Sequence, residues 1–131
     1  MKLHGHVLVV DDEAHIRKFV TVYLQSLGEI TVAEAVNGTE ALQLYASRRP
    51  QLVLLDVNMP RVDGLQTLRQ LKEVDPGCVV VMLTSLVNRQ TVEACLRLGA
   101  LGYLRKDNPP DEMFAQLRRF VASSLAPAPA P

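Results

Sequence analysis

Four short apolar runs in this chain stop abruptly at polar residues, and this pattern limits the possible folds more than any other feature. Val7–Val10 runs into Asp11-Asp12, Leu52–Leu55 into Asp56, Cys78–Leu83 into Thr84-Ser85, and Leu101–Leu104 into Arg105-Lys106-Asp107. The first three are rich in β-branched residues and Leu with no polar alternation, which reads as strands covered on both faces. A further run, Ile30–Ala35, reads as a strand of weaker composition, because Ala and Glu are poor strand formers.

Between these runs the apolar period changes to three and four residues, the period of a helix with one buried face. Ile16, Phe19, Val20, Tyr23, Leu24 and Leu27 form the first stripe, and Gly28 is placed to end it in a left-handed cap. Asn37-Gly38 is a turn signal. Ala41, Leu42, Leu44 and Tyr45 form the second stripe, bounded by Pro50. After the loop Asn58-Met59-Pro60, Asp63 with Gln66 resembles a capping box. Leu65, Leu68, Leu71 and Val74 then form the third stripe, and Pro76-Gly77 a turn. Val92, Cys95, Leu96 and Leu98 form a fourth, stopped by Gly99. Pro109-Pro110 opens the last helix, with Met113, Leu117, Phe120, Val121 and Leu125 on its core face. Strand and helix alternate five times, which implies parallel β-α-β units with right-handed crossovers. The expected fold is α/β, a doubly wound five-stranded parallel sheet in a three-layer sandwich with five helices.

In an open parallel sheet the carboxyl ends of the strands share one edge, and ligands bind there. Asp11, Asp12, Asp56, Thr84 and Lys106 therefore converge from distant parts of the chain. Two carboxylates about 4 Å apart repel by roughly 4 kcal/mol at an effective dielectric near 20. Such a cluster calls for a cation. Hard oxygen donors favour a small divalent ion such as Mg²⁺, which also contacts phosphoryl oxygens. Lys106 adds a compact positive charge and Thr84 a hydroxyl donor. This set suits phosphoryl transfer, where positioning and electrostatics supply most of the catalysis, with one carboxylate as nucleophile.

The motifs Val9-Val10-Asp11-Asp12-Glu13, Leu54-Leu55-Asp56-Val57-Asn58-Met59-Pro60, Asp63-Gly64, Leu83-Thr84-Ser85 and Gly102-Tyr103-Leu104-Arg105-Lys106 occur in order at strand ends. In these the chain resembles a response-regulator receiver domain of two-component signal transduction, over about residues 6–125. The resemblance implies a flavodoxin-like sheet with strand order 2-1-3-4-5. It implies Asp56 as phospho-acceptor and Mg²⁺ ligand, Asp12 as a direct Mg²⁺ ligand, Asp11 acting through water, and the Asn58 backbone carbonyl as a further ligand. Thr84 and Lys106 would hold phosphoryl oxygens. Thr84 and Tyr103 would form the switch, the ring entering space that Thr84 vacates. The implied partners are a sensor histidine kinase or phosphotransfer protein and an output protein or domain. A homodimer through the face of helix 4, strand 5 and helix 5 is a further expectation. Such a domain catalyses only its own phosphorylation and dephosphorylation. Two positions depart from the common pattern. Asp107 stands where Pro usually follows the Lys, an ending similar to receivers with DNA-binding output domains. Ser85 stands where Ala or Gly is common.

Composition narrows the alternatives. Lys plus Arg equals Asp plus Glu at 14 each, without the basic surplus of a nucleic-acid binder. Cys78 and Cys95 form no C-x-x-C pair or zinc pattern, and Cys78, in an apolar run, reads as a buried free thiol, which suits a reducing compartment. No apolar stretch approaches the roughly 18 residues of a membrane span, so the expected location is the cytoplasm, with no membrane insertion and no direct nucleic-acid contact. His4, His6 and His15 have no metal spacing. A flavin module of the same architecture would want a Ser-, Thr- or Gly-rich phosphate loop after the first strand, where this chain has acids. A degenerate interaction domain would not need the complete set of acids, Thr84 and Lys106. Residues 126–131 alternate Ala and Pro and read as an extended, unpacked tail or the start of a linker, leaving open an excised receiver of a DNA-binding regulator.

Overall fold

The computed structural model describes residues 3–57, 64–85 and 89–127. Its elements follow the expected alternation: β1 (Leu3–Val10), α1 (Ala14–Ser26), β2 (Gly28–Ala35), α2 (Gly38–Arg48), β3 (Leu52–Asp56), α3 (Gly64–Val74), β4 (Val80–Thr84), α4 (Arg89–Arg97), β5 (Gly102–Arg105), α5 (Pro110–Ser124) and a two-residue β6 (Ala126–Pro127). The first five strands are parallel in the order β2-β1-β3-β4-β5. This is the flavodoxin-like arrangement.

The alternation of side chains along each strand divides the core into two layers. Val7, Val9, Leu52, Leu54, Val81 and Leu83 face one way and pack with Val20 and Leu24 of α1 and Leu117 and Val121 of α5. Leu8, Val10, Val53, Leu55, Val80 and Met82 face the other way, toward Tyr45 of α2, Leu68 and Leu71 of α3, and Cys95 of α4. Burial of each such Val or Leu contributes about 1.5–3 kcal/mol before the entropy of ordering is counted. That is why the central strands tolerate no polar residue until their last position.

Several local expectations change. Gly28 does not cap α1. Leu27 ends that helix in a right-handed conformation, and Gly28, at φ +149°, opens β2 instead. A Cβ there would come within 2.1 Å of the Leu3 carbonyl oxygen, so the two strands can approach only because this residue has no side chain. Asn37 is the N-cap of α2, accepting from the Glu40 amide at 2.9 Å, while Glu40 accepts from the Val36 amide at 3.1 Å. Phe19, Val74 and Leu96 lie exposed rather than in their helices' core stripes. Phe19 instead meets the Phe114 ring at 5.0 Å on the α1–α5 surface. The fourth strand begins at Val80, two residues beyond Cys78, and the fifth at Gly102, leaving Leu101 exposed. The tail is not wholly unpacked: Ala126 and Pro127 pair antiparallel with His4 and Leu3. They occupy the part of the β1 edge that β3, starting opposite Val7, leaves open. The loop Asn58-Met59-Pro60 and the cap residue Asp63 lie outside the described residues.

Candidate functional site

The strand register builds the site. Val10 of β1 pairs with Leu55 of β3, so the next residues, Asp11 and Asp56, emerge side by side. Thr84 closes β4 opposite Arg105 of β5, and the Lys106 amide donates to the Thr84 carbonyl at 2.8 Å. That bond carries the Lys106 side chain to the same edge. Asp11, Asp56 and Thr84 are buried, at 0%, 1% and 3% exposure.

Lys106 is the electrostatic centre. Its Nζ lies 2.5 Å from Asp11 Oδ2, 3.2 Å from Asp56 Oδ2 and 3.3 Å from Glu13 Oε1. Burial pulls the ammonium's pKa down, but the Asp11 and Asp56 carboxylates outweigh it and hold the group above the ordinary lysine value. Asp11 Oδ2, buried, has the ammonium as its direct partner at 2.5 Å. Its other oxygen accepts from the Glu13 amide at 2.9 Å. Carboxylate oxygens of Asp11, Asp12, Glu13 and Asp56 lie within 4.8 Å of one another. Four acids against one ammonium leave an excess of negative charge. Hard carboxylate donors in excess of the cation among them fit a small divalent ion.

The structure thus brings Asp11, Asp12, Asp56 and Lys106 together and puts Thr84 on the same strand end; Asn58 lies outside the described residues. Tyr103 is 39% exposed on β5. It borders a crevice between α4 and β5 that is also lined by Val57, Met82, Thr84 and Cys95. Gly64 starts α3 directly against the site: a Cβ there would fall 2.7 Å from the Asp56 carbonyl oxygen and 2.7 Å from Val57 Cα. The Lys106–Asp107 peptide bond is trans, and Arg105 grips Asp107 through two contacts of 2.9 and 2.6 Å.

Two residues join the site that sequence reasoning did not place there. Glu13, which follows the two aspartates in sequence, makes no capping bond and reaches Lys106. Arg17 donates to the Asp11 carbonyl at 2.7 Å and pairs with Glu34 of β2 at 3.2 Å, holding the β1–α1 turn from behind. A basic residue one turn into α1 was the available signal for Arg17. No spacing pattern links Glu13 to Lys106.

Comparisons with known proteins agree with this architecture. Residues 7–118 match the family model described as the response regulator receiver domain. The chain is 34% identical over 120 residues to the nitrate/nitrite response regulator protein NarL of Escherichia coli K12, covering 91% of this chain and 56% of that protein. It is 36% identical over 100 residues to the chemotaxis protein CheY of Halobacterium salinarum, covering 76% of this chain and 82% of the relative. Among solved structures, the CheX-CheY-BeF3-Mg2+ complex from Borrelia burgdorferi superposes with a TM-score of 0.80 at 31% identity, over 90% of this chain and 87% of that one. The chain spans little more than half the length of several curated regulators it matches, 58% and 56% for two of them. Among the described residues no helix is long and apolar enough to cross a membrane.

Proposed function

Because the chain belongs to the response regulator receiver domain family of two-component signal transduction, we propose that it is a phosphorylation switch whose acceptor is Asp56. The observation that carries this reading is the convergence of Lys106 on the buried carboxylates of Asp11 and Asp56. An Asp56 carboxylate oxygen attacks the phosphorus of a phosphohistidine on a sensor kinase or phosphotransfer protein. The P–N bond breaks and its electron pair leaves on the imidazole nitrogen. Mg²⁺, when bound, offsets the charge of the acids and of the incoming phosphoryl oxygens. Asp12 would hold it directly, Asp11 through water, and Asn58 through its backbone carbonyl. Lys106 and the Thr84 hydroxyl hold phosphoryl oxygens. The same pocket admits water for the reverse loss of the phosphoryl group, so the catalysis is confined to the domain's own phosphorylation state.

Phosphorylation adds about −1.5 to −2 charges and strong acceptor oxygens. In this reading Thr84 is drawn toward them and Tyr103 turns into the crevice beside it. The face of α4, β5 and α5 then changes shape toward an output partner or a second copy, a population shift limited by the differential interaction energy. Receiver boundaries at 6–125, with 126–131 as a tail or linker, and action in the cytoplasm belong to the same proposal. A second reading, the receiver of a DNA-binding regulator, is favoured by the match at 34% identity to a putative transcriptional regulator of Pseudomonas aeruginosa, of which this chain covers 58%. Flavin binding is disfavoured by the acids after β1.

Incubation with Mg²⁺ and acetyl phosphate, followed by intact-mass measurement, tests the assignment. The protein should gain one phosphoryl group, chelation should slow the gain, and Asp56→Asn should abolish it. Undiminished labelling of Asp56→Asn would falsify the choice of acceptor.

A further inference from the structure

The pocket contains a competition. Any cation held by Asp56 and, through water, by Asp11 must displace the Lys106 ammonium, which sits 2.5 Å from Asp11 Oδ2 and 3.2 Å from Asp56 Oδ2. Lys106 has one further acidic contact, Glu13 Oε1 at 3.3 Å, and it differs in kind from the other two. Asp11 and Asp56 are buried, whereas the Glu13 side chain is 46% exposed at the mouth of the pocket. The Glu13 backbone is fixed by the bond from its amide to Asp11 and by the Ile16 and Arg17 amides on its carbonyl. Its side chain takes no part in capping α1. Its other oxygen faces the exposed His15 ring at 3.6 Å, on the solvent side.

We propose that Glu13 is a positioning residue for Lys106: it retains the ammonium at the pocket mouth when a divalent cation occupies Asp11 and Asp56, and so eases the exchange. The proposal rests on the phosphoacceptor reading in taking the pocket as a divalent-cation site. With Glu13 present, the displaced ammonium keeps a counter-charge and stays beside the acceptor, where an incoming phosphoryl group needs it. Without that carboxylate, Lys106 binds Asp11 and Asp56 the more firmly and resists the cation. A Glu13 that served only the helix dipole would affect stability and leave the exchange alone. A Glu13 that ligated the cation itself would act whether or not Lys106 were there.

The test is a double-mutant cycle read by Mg²⁺ calorimetry on the full chain, comparing the unmodified protein, Glu13→Gln, Lys106→Ala and the double variant. Glu13→Gln should weaken Mg²⁺ binding about three- to five-fold, the upper part of the range for an exposed ion pair, and Lys106→Ala should strengthen it. In the Lys106→Ala background the Glu13→Gln effect should shrink below about two-fold, because additivity fails for residues that act through each other. Lys106→Met, which retains most of the apolar stem, serves if the Ala variant does not fold. Equal Mg²⁺ affinity for Glu13→Gln and the unmodified protein overturns the proposal, as does an effect of the same size with Lys106 absent. An unmodified protein that binds no Mg²⁺ overturns the cation-site reading as well. Mg²⁺ binding by the unmodified protein together with no effect of Glu13→Gln while Lys106 is present removes this inference alone.

Discussion

The two ends of the sheet treat polar groups in opposite ways. At the amino end, the Tyr45 hydroxyl donates to Asp75 Oδ2 at 2.7 Å and the Gly77 amide to Asp75 Oδ1 at 3.0 Å. The Lys72 ammonium donates to the Cys78 carbonyl. Arg49 lies 5.6 Å over the Tyr45 ring and 3.7 Å from Asp75. Both Asp75 oxygens are partnered. The Tyr45 hydroxyl first, then the Gly77 amide, hold that carboxyl below the ordinary aspartate range. Burial, aided by Asp75, pushes the Tyr45 phenol far above its usual value. At the carboxyl end, acids outnumber the cation among them: the carboxylates of Asp11, Asp12, Glu13 and Asp56 gather around the one ammonium of Lys106. One end is electrostatically closed. The other is left open, and incompletely paired buried charge is costly unless a ligand completes it.

The largest expected effect breaks the open end. Lys106→Ala leaves Asp11 and Asp56 without their ammonium and should cost about 3 kcal/mol of stability in chelator. Urea unfolding should show the loss, and millimolar Mg²⁺ should recover part of it. A cost unaffected by Mg²⁺ would mean that the two ends do not differ in this respect. Tyr45→Phe, at the closed end, should lower Tm by about 3 °C equally with and without Mg²⁺, as scanning calorimetry would show. The smallest effect is a pH slope. Because Asp75 is depressed in the folded state, its contribution is complete above the unfolded value near about pH 4 and is lost as pH falls through the lower folded value. Acid titration of stability should therefore be shallower in Tyr45→Phe than in the unmodified protein.

The open end was the more legible of the two in sequence. Buried parallel strands must be apolar until they leave the core, so Asp11, Asp56, Thr84 and Lys106 each stand out at the end of an apolar run, and shared strand direction gathers them. The closed end carries no such mark: Tyr45 and Asp75 are single residues 30 positions apart, joined only once α2 and α3 pack. Helical periodicity placed Val20, Leu24, Leu68, Leu71 and Leu117 correctly in the core. It overextended the stripes to Phe19, Val74 and Leu96, since spacing cannot tell the edge of a face from its centre. Ala126-Pro127 was missed because its composition opposes strand formation, while its pairing depends on a gap in the β1 edge. The Glu13–Lys106 contact spans 93 residues and needed coordinates.

The absent side chain at Gly64 has a consequence for Asp56 itself. The first turn of α3 rests on the carbonyl of Asp56 and on Val57 with no room even for a methyl group. The main chain beneath the Asp56 carboxylate is thus wedged against a helix layer. Events at that carboxylate must be answered by side-chain rotation above it, because the floor has nowhere to yield.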